Sequence, residues 1–235
     1  MSKIKKVILI IVSIILLVVI AGAVALGYNF RENKKEQEEI ENFIKEYRQA
    51  KLDKYIQENE MYADYEVDVA FLGDSLTDGY DVKQYYPNYL VVNRGIGGDT
   101  TFDLEDRLRV SVYDLKPKVA VMLIGANNFK TMFDNYERLV AGIKANLPNT
   151  KLVLLSLTSM SGQWGKNNQI AAYNNAKIKL ISQKYGCTFV DLYTPLLNLN
   201  TGEIYDEYTT DGGHLTPKGY EVITSVITPV LDEIL

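Results

Sequence analysis

From residue 66 onward, short runs of continuous apolar residues alternate with longer stretches whose apolar positions recur every three to four residues. VDVAFL, YLVV, KVAVMLI, KLVLLSL and CTFVDL are the short runs, and they predict strands. Between them DLEDRLRVSVYDL, FDNYERLVAGIKANL and IAAYNNAKIKLISQKY carry the spacing of helices with one buried face. In the last stretch Ile223, Val226, Ile227, Val230, Leu231 and Ile234 share a helical face. Thr216-Pro217 is a helix start signal, and Pro229 predicts a kink or a break. Strands that are apolar on both faces, alternating with helices, predict a five-stranded, mostly parallel sheet covered on both sides, a three-layer α/β/α domain.

The first part of the chain follows a different pattern. Positions 7–26, VILIIVSIILLVVIAGAVAL, hold Ser13 as their only clearly polar residue. Twenty helical residues span ~30 Å, the thickness of a bilayer core, so an uncleaved transmembrane anchor is expected there. Small residues from Ala21 to Ala25 leave cleavage as an alternative. Lys3, Lys5 and Lys6 precede the span and predict a cytoplasmic N-terminus, with the remainder outside the membrane. Residues 27–65 are rich in Glu, Lys, Gln and Asn, with Ile40, Phe43, Ile44, Tyr47, Tyr55 and Ile56 at helical intervals. They read as a solvated juxtamembrane helix with a narrow packing stripe. The expected organisation is a basic segment 1–6, an anchor 7–26, a linker 27–65 and one catalytic domain 66–235.

Charge narrows the partners. Beyond residue 27 there are 22 basic and 30 acidic side chains, which argues against nucleic acid or anionic lipid headgroups as the main partner. Cys187 is the only cysteine and His214 the only histidine, so no intramolecular disulfide can form and a Cys/His zinc site lacks ligands. Neither a metal nor an organic cofactor is expected.

In an open parallel sheet, ligands bind beyond the carboxyl ends of the strands, so the residues after each strand carry the chemistry. Gly73-Asp74-Ser75 follows the first run, NRGIGGDTT (93–101) the second and GANN (125–128) the third. A polar loop with Trp164 follows the fourth, and DGGHL (211–215) lies beyond the fifth. A serine becomes a useful nucleophile beside a histidine base, which needs an acceptor to fix its tautomer. Asp211, three residues before His214, is placed for that. The backbone N–H of Ser75, the N–H of a glycine within 95–98 and the amide of Asn127 are candidate oxyanion donors. Each piece alone has an ordinary structural reading: a turn at Asp74-Ser75, a tight turn or phosphate cradle at Gly95–Gly98, a helix cap at Asn127-Asn128. Their ordered placement after successive strands favours catalysis.

These blocks, Gly73-Asp74-Ser75-Leu76, Asn93-Arg94-Gly95-Ile96-Gly97-Gly98-Asp99, Gly125-Ala126-Asn127-Asn128 and Asp211-Gly212-Gly213-His214, resemble those of the SGNH (GDSL) hydrolases over roughly residues 66–235. The resemblance implies a flavodoxin-like SGNH fold, with Ser75 as nucleophile, His214 as base and Asp211 as its orienting acid. It also implies an oxyanion hole from the backbone of Ser75 and Gly98 and the side chain of Asn127. Asn128 departs from the Asp that many members carry there. GIGGDTT and GANN look most like the platelet-activating-factor acetylhydrolase branch, which implies short acyl groups. The expected protein is thus a membrane-anchored, extracytoplasmic serine esterase acting on short-chain, acetyl-type esters, with cell-envelope saccharides as preferred substrates. A lysophospholipase or other lipid esterase, and an O-acetyltransferase using the same triad, are the alternatives.

Overall fold

Val69–Gly73, Val91–Gly95, Val119–Leu123, Lys151–Leu155 and Thr188–Val190 form strands β1 to β5. Strands β3, β4 and β5 lie within their apolar runs, while β1 extends past VDVAFL to Gly73 and β2 past YLVV through Asn93 and Arg94 to Gly95. The computed structural model describes residues 3–235, with the side chains of residue 30 and residues 32–235. The helices are α1 (Lys3–Asn59), α2 (Ser75–Asp78), α3 (Val82–Tyr85), α4 (Thr101–Asp106), α5 (Tyr136–Asn146), α6 (Gly162–Gly165), α7 (Asn168–Tyr185), α8 (Tyr193–Leu196) and α9 (Pro217–Ile234). The chain divides into two compact units, Met1–Ala50 and Lys51–Leu235. In the first, side chains 32–46 are exposed, Ile40, Phe43 and Ile44 among them. The second contains the sheet.

All sheet pairings are parallel and the strand order is β2-β1-β3-β4-β5. Because side chains alternate along a strand, the two faces collect different residues. Val69 and Phe71 of β1, Val119, Val121 and Leu123 of β3, and Val153 and Leu155 of β4 pack with Tyr220, Ile223, Ile227 and Leu231 of α9. Leu72, Ala120, Met122, Leu152 and Leu154 point the other way, onto Leu104, Leu139, Val140, Ile143, Ala171 and Ile178 of α4, α5 and α7. This is the three-layer arrangement the apolar pattern predicts.

Two helix details differ from the pattern. The stretch read as one helix over 103–115 is α4 followed by a wider π-type turn at Arg109–Tyr113. Helix α9 runs through Pro229 to Ile234 without a break, and Thr216 caps its start by accepting from the Gly219 N–H.

The membrane expectations are corrected. Among the residues whose side chains are described, no helix is long and apolar enough to cross a membrane. The transmembrane anchor over 7–26 falls on residues outside those whose side chains are described. The expected membrane partner, single-pass topology and extracytoplasmic placement rested on that anchor, and nothing among the described residues supports them. The physical reason is that length and apolarity say a segment avoids water, without saying what covers it.

Candidate active site

Ser75 stands at the first position of α2, directly after β1, with Asp74 as the N-cap whose Oδ1 accepts from the Leu76 N–H at 3.1 Å. Glycine at 73 is required by space. A Cβ there would lie 2.3 Å from the Leu123 carbonyl and 2.1 Å from Thr77 Oγ1. Across the β1–β2 pair, a Cβ at Gly95 would lie 2.2 Å from the Asp78 nitrogen, so α2 packs directly on the backbone of β2. Asn93 holds this turn from the neighbouring strand. Its Nδ2 donates to the carbonyls of Thr77 at 2.5 Å and Tyr80 at 2.9 Å, while its Oδ1 accepts from the Gly95 N–H at 2.8 Å.

His214 comes from the loop before α9. Ser75 Oγ and His214 Nε2 are 3.0 Å apart, and His214 Nδ1 is 2.8 Å from Asp211 Oδ2. The other carboxylate oxygen, Asp211 Oδ1, accepts from the N–H of His214 at 2.8 Å and of Gly213 at 2.9 Å. Bonds from the His214 backbone and ring, then from Gly213, hold the Asp211 carboxyl down at about 2. It is therefore ionised throughout the neutral range and is an acceptor for an N–H on His214 Nδ1. The loop is braced by Thr209, whose hydroxyl donates to the His214 carbonyl at 2.7 Å and accepts from the Gly212 N–H at 2.9 Å. Gly212 has φ +89°, and a Cβ there would sit 2.4 Å from the Ser161 carbonyl. This places the loop against the segment that carries Trp164.

Asn127 follows β3, the other neighbour of β1. Its Nδ2 donates one hydrogen to the Asp99 carbonyl at 2.9 Å, which fixes the amide plane and leaves its second hydrogen available. Asn128 binds elsewhere: its Oδ1 accepts from the Thr101 N–H at 3.3 Å and its Nδ2 donates to Thr101 Oγ1 at 2.8 Å. Neither asparagine caps α5, which starts at Tyr136. Gly98 is exposed with φ +83°, a left-handed conformation that favours glycine, and among the described residues its N–H makes no hydrogen bond. A cleft of about 50 Å³ opens over Ser75, Asn127 and His214, walled by Leu76, Ala126, Phe129, Met160 and Trp164. Among the described residues, no group of three or more His, Cys, Asp or Glu side chains could hold a metal ion.

The GDSL-like Lipase/Acylhydrolase family profile matches residues 71–222. The chain belongs to this family. No curated protein matches it. Among solved structures, an acylhydrolase assignment from Bacteroides fragilis is 27% identical with a TM-score of 0.68, over 76% of this chain and 94% of that one. A GDSL-like lipase from Bacteroides thetaiotaomicron is 25% identical with a TM-score of 0.69, over 78% and 98% respectively. A Streptococcus pneumonia structure described as a platelet activating factor is 26% identical with a TM-score of 0.67, covering 82% and 96%. The protein is a GDSL-type carboxylic ester hydrolase.

Several residues that shape the site of this GDSL hydrolase escape a reading of its sequence. Asn93 lies inside a recognisable block, yet only the β1–β2 pairing reveals that it holds the serine turn. Thr209 and Arg107 carried no signal beyond their residue type. Asp74, though next to the serine, is buried, and its Oδ2 has no hydrogen-bond partner among the described residues.

Burial pushes the Asp74 carboxyl up to about 7, and the nearby Asp99 adds to the shift against the bond from Leu76. Folded protein thus keeps a proton that an unfolded chain releases near pH 4, so this group makes stability fall as pH rises from about 4 through 7. Asp74→Asn keeps a capping oxygen and cannot ionise. It is expected to flatten that fall and to raise Tm at pH 8, at about 2–4 °C for each kcal/mol recovered. Melting curves from pH 5 to 8 check this; profiles that stay parallel to wild type would remove Asp74 as the cause.

Proposed function

We propose that this hydrolase cleaves short-acyl carboxylic esters through an acyl-enzyme on Ser75, with His214 as general base and acid and Asp211 as its orienting partner. The observation that carries the reading is the continuous Ser75–His214–Asp211 chain, at 3.0 and 2.8 Å, opening into the cleft. Ser75 Oγ attacks the ester carbonyl carbon as its proton passes to His214 Nε2. The negative charge that develops on the carbonyl oxygen is met by the N–H groups of Ser75 and Gly98 and by the free hydrogen of the Asn127 amide. The carbon–oxygen bond to the alcohol then breaks, and the alcohol leaves with the proton from His214. Water, deprotonated by the same imidazole, releases the acid and restores Ser75.

The short-acyl assignment draws on the likeness of GIGGDTT and GANN to the platelet-activating-factor acetylhydrolase branch. The cleft over Ser75 is walled by Leu76, Ala126, Phe129, Met160 and Trp164, apolar surface that suits a small acyl group. A series of esters of one alcohol, from acetyl to octanoyl, tests it. Acetyl or propionyl is expected to give a kcat/KM at least tenfold above octanoyl. An octanoyl ester turned over ten times more efficiently than acetyl would reverse the assignment.

A further inference from the structure

Arg107 ends α4 and is buried to 4% exposure, on a helix whose pattern offers no chemical reason for a cation. Its guanidinium makes four hydrogen bonds. Nε donates to Asp99 Oδ2 at 2.7 Å, and Nη1 donates to the Arg94 carbonyl at 2.9 Å and to Ser111 Oγ at 2.7 Å. Nη2 donates to the Gly73 carbonyl at 2.9 Å. Gly73 lies two residues before Ser75, and Arg94 lies on the strand that feeds the Gly98 loop. Asp99 directly follows Gly98, and its own carbonyl takes the Asn127 amide. One rigid planar group therefore joins the ends of β1 and β2 to the residue that orients Asn127.

We propose that Arg107, through Asp99, is a positioning residue for the oxyanion donors Gly98 and Asn127. This rests on the reading of those two residues as donors. The argument is geometric: a donor displaced by a fraction of an ångström loses much of its transition-state contribution, and a site is held to such tolerance by the hydrogen bonds behind it. Lysine has a point charge and no fork, so it keeps the pair with Asp99 without spanning the two carbonyls.

The test compares Arg107→Gln, Asn127→Ala and the double variant on an acetyl ester, with Tm measured for each. Arg107→Gln is expected to lower kcat about 10- to 100-fold, part of what a whole donor supplies, with KM changed less than about threefold. A merely structural arginine would lower Tm and the active fraction without this kcat–KM split. In the Asn127→Ala background the same substitution is expected to cost less than it does in the wild type, because one of the two donors it positions is already gone. If the glutamine variant does not fold, Arg107→Lys takes its place in the same comparison, with the same expectations. A folded Arg107 variant with kcat within threefold of wild type, or losses that multiply in the double variant, overturns the inference while leaving Asn127 as a donor. If Asn127→Ala alone leaves kcat unchanged, the donor reading fails and this inference with it.

Discussion

Replacing His214 with alanine is expected to lower kcat on an acetyl ester by about 10⁴–10⁶-fold while the protein stays folded. The imidazole bonds through Nε2 to Ser75 and through Nδ1 to Asp211, and its side chain is 49% exposed. Its removal therefore opens no cavity in the core and leaves no buried polar group without a partner. Asp211 keeps its bonds from the backbone N–H groups of residues 213 and 214. What is lost is the acceptor for the Ser75 proton, and a serine hydroxyl without a base is a poor nucleophile near neutral pH. With a single histidine in the chain, no second imidazole can take over. Activity should persist only at the level that substrate binding and oxyanion donors supply by themselves. Tm should move little, as for other exposed substitutions. Steady-state kinetics beside a melting curve checks both; a variant that keeps more than a tenth of wild-type kcat would rule out the mechanism proposed above.

Asn127→Ala should slow turnover by about 10²–10³-fold, equivalent to roughly 3–4 kcal/mol of transition-state stabilisation. The loss should fall on kcat, because the amide meets most of its negative charge only after Ser75 has attacked. The bond from Nδ2 to the Asp99 carbonyl is the one stability contact that is sacrificed, and a single bond of this kind is worth about 1 kcal/mol. The two roles thus separate by measurement. A large kcat loss with a small Tm change supports a donor. An unchanged kcat with a lowered Tm would assign Asn127 to bracing the Asp99 loop alone.

Much of the architecture is legible along the chain. Strands buried on both faces need apolar residues at consecutive positions, so KVAVMLI and KLVLLSL announce themselves without any partner being known. The short polar blocks at strand ends are visible for a related reason: glycines at 73 and 95 mark places where backbone approaches backbone, and no other residue has room there. The N-terminal run marks the limit of such reading. Residues 7–26 are apolar enough to shun water, but they lie outside the residues whose side chains are described, and apolarity does not identify their cover. Tyr55 makes the same point from the opposite direction. It reads as one member of a sparse stripe on a charged helix, yet it is buried at 2% exposure, with its hydroxyl on the Gly95 carbonyl at 2.6 Å and its ring 4.6 Å from the Arg94 guanidinium.

The sequence by itself determined where the five strands and the long helices of the domain lie to within a few residues, that the sheet is covered on both sides, and which residue types stand near the strand ends. Each of these follows from local periodicity, from the space a glycine leaves, or from the chemistry of one side chain. The order β2-β1-β3-β4-β5 was decided only in three dimensions, and it sets Ser75 between the loop of Gly98 and the loop of Asn127. So was the meeting of Ser75 with His214, which lies 139 residues along the chain. The four bonds of Arg107 belong to the same class, since its acceptors at 73, 94, 99 and 111 come together only after the strands have paired. Strand pairing is a non-local choice whose energy depends on both partners at once, and no single stretch of sequence contains it.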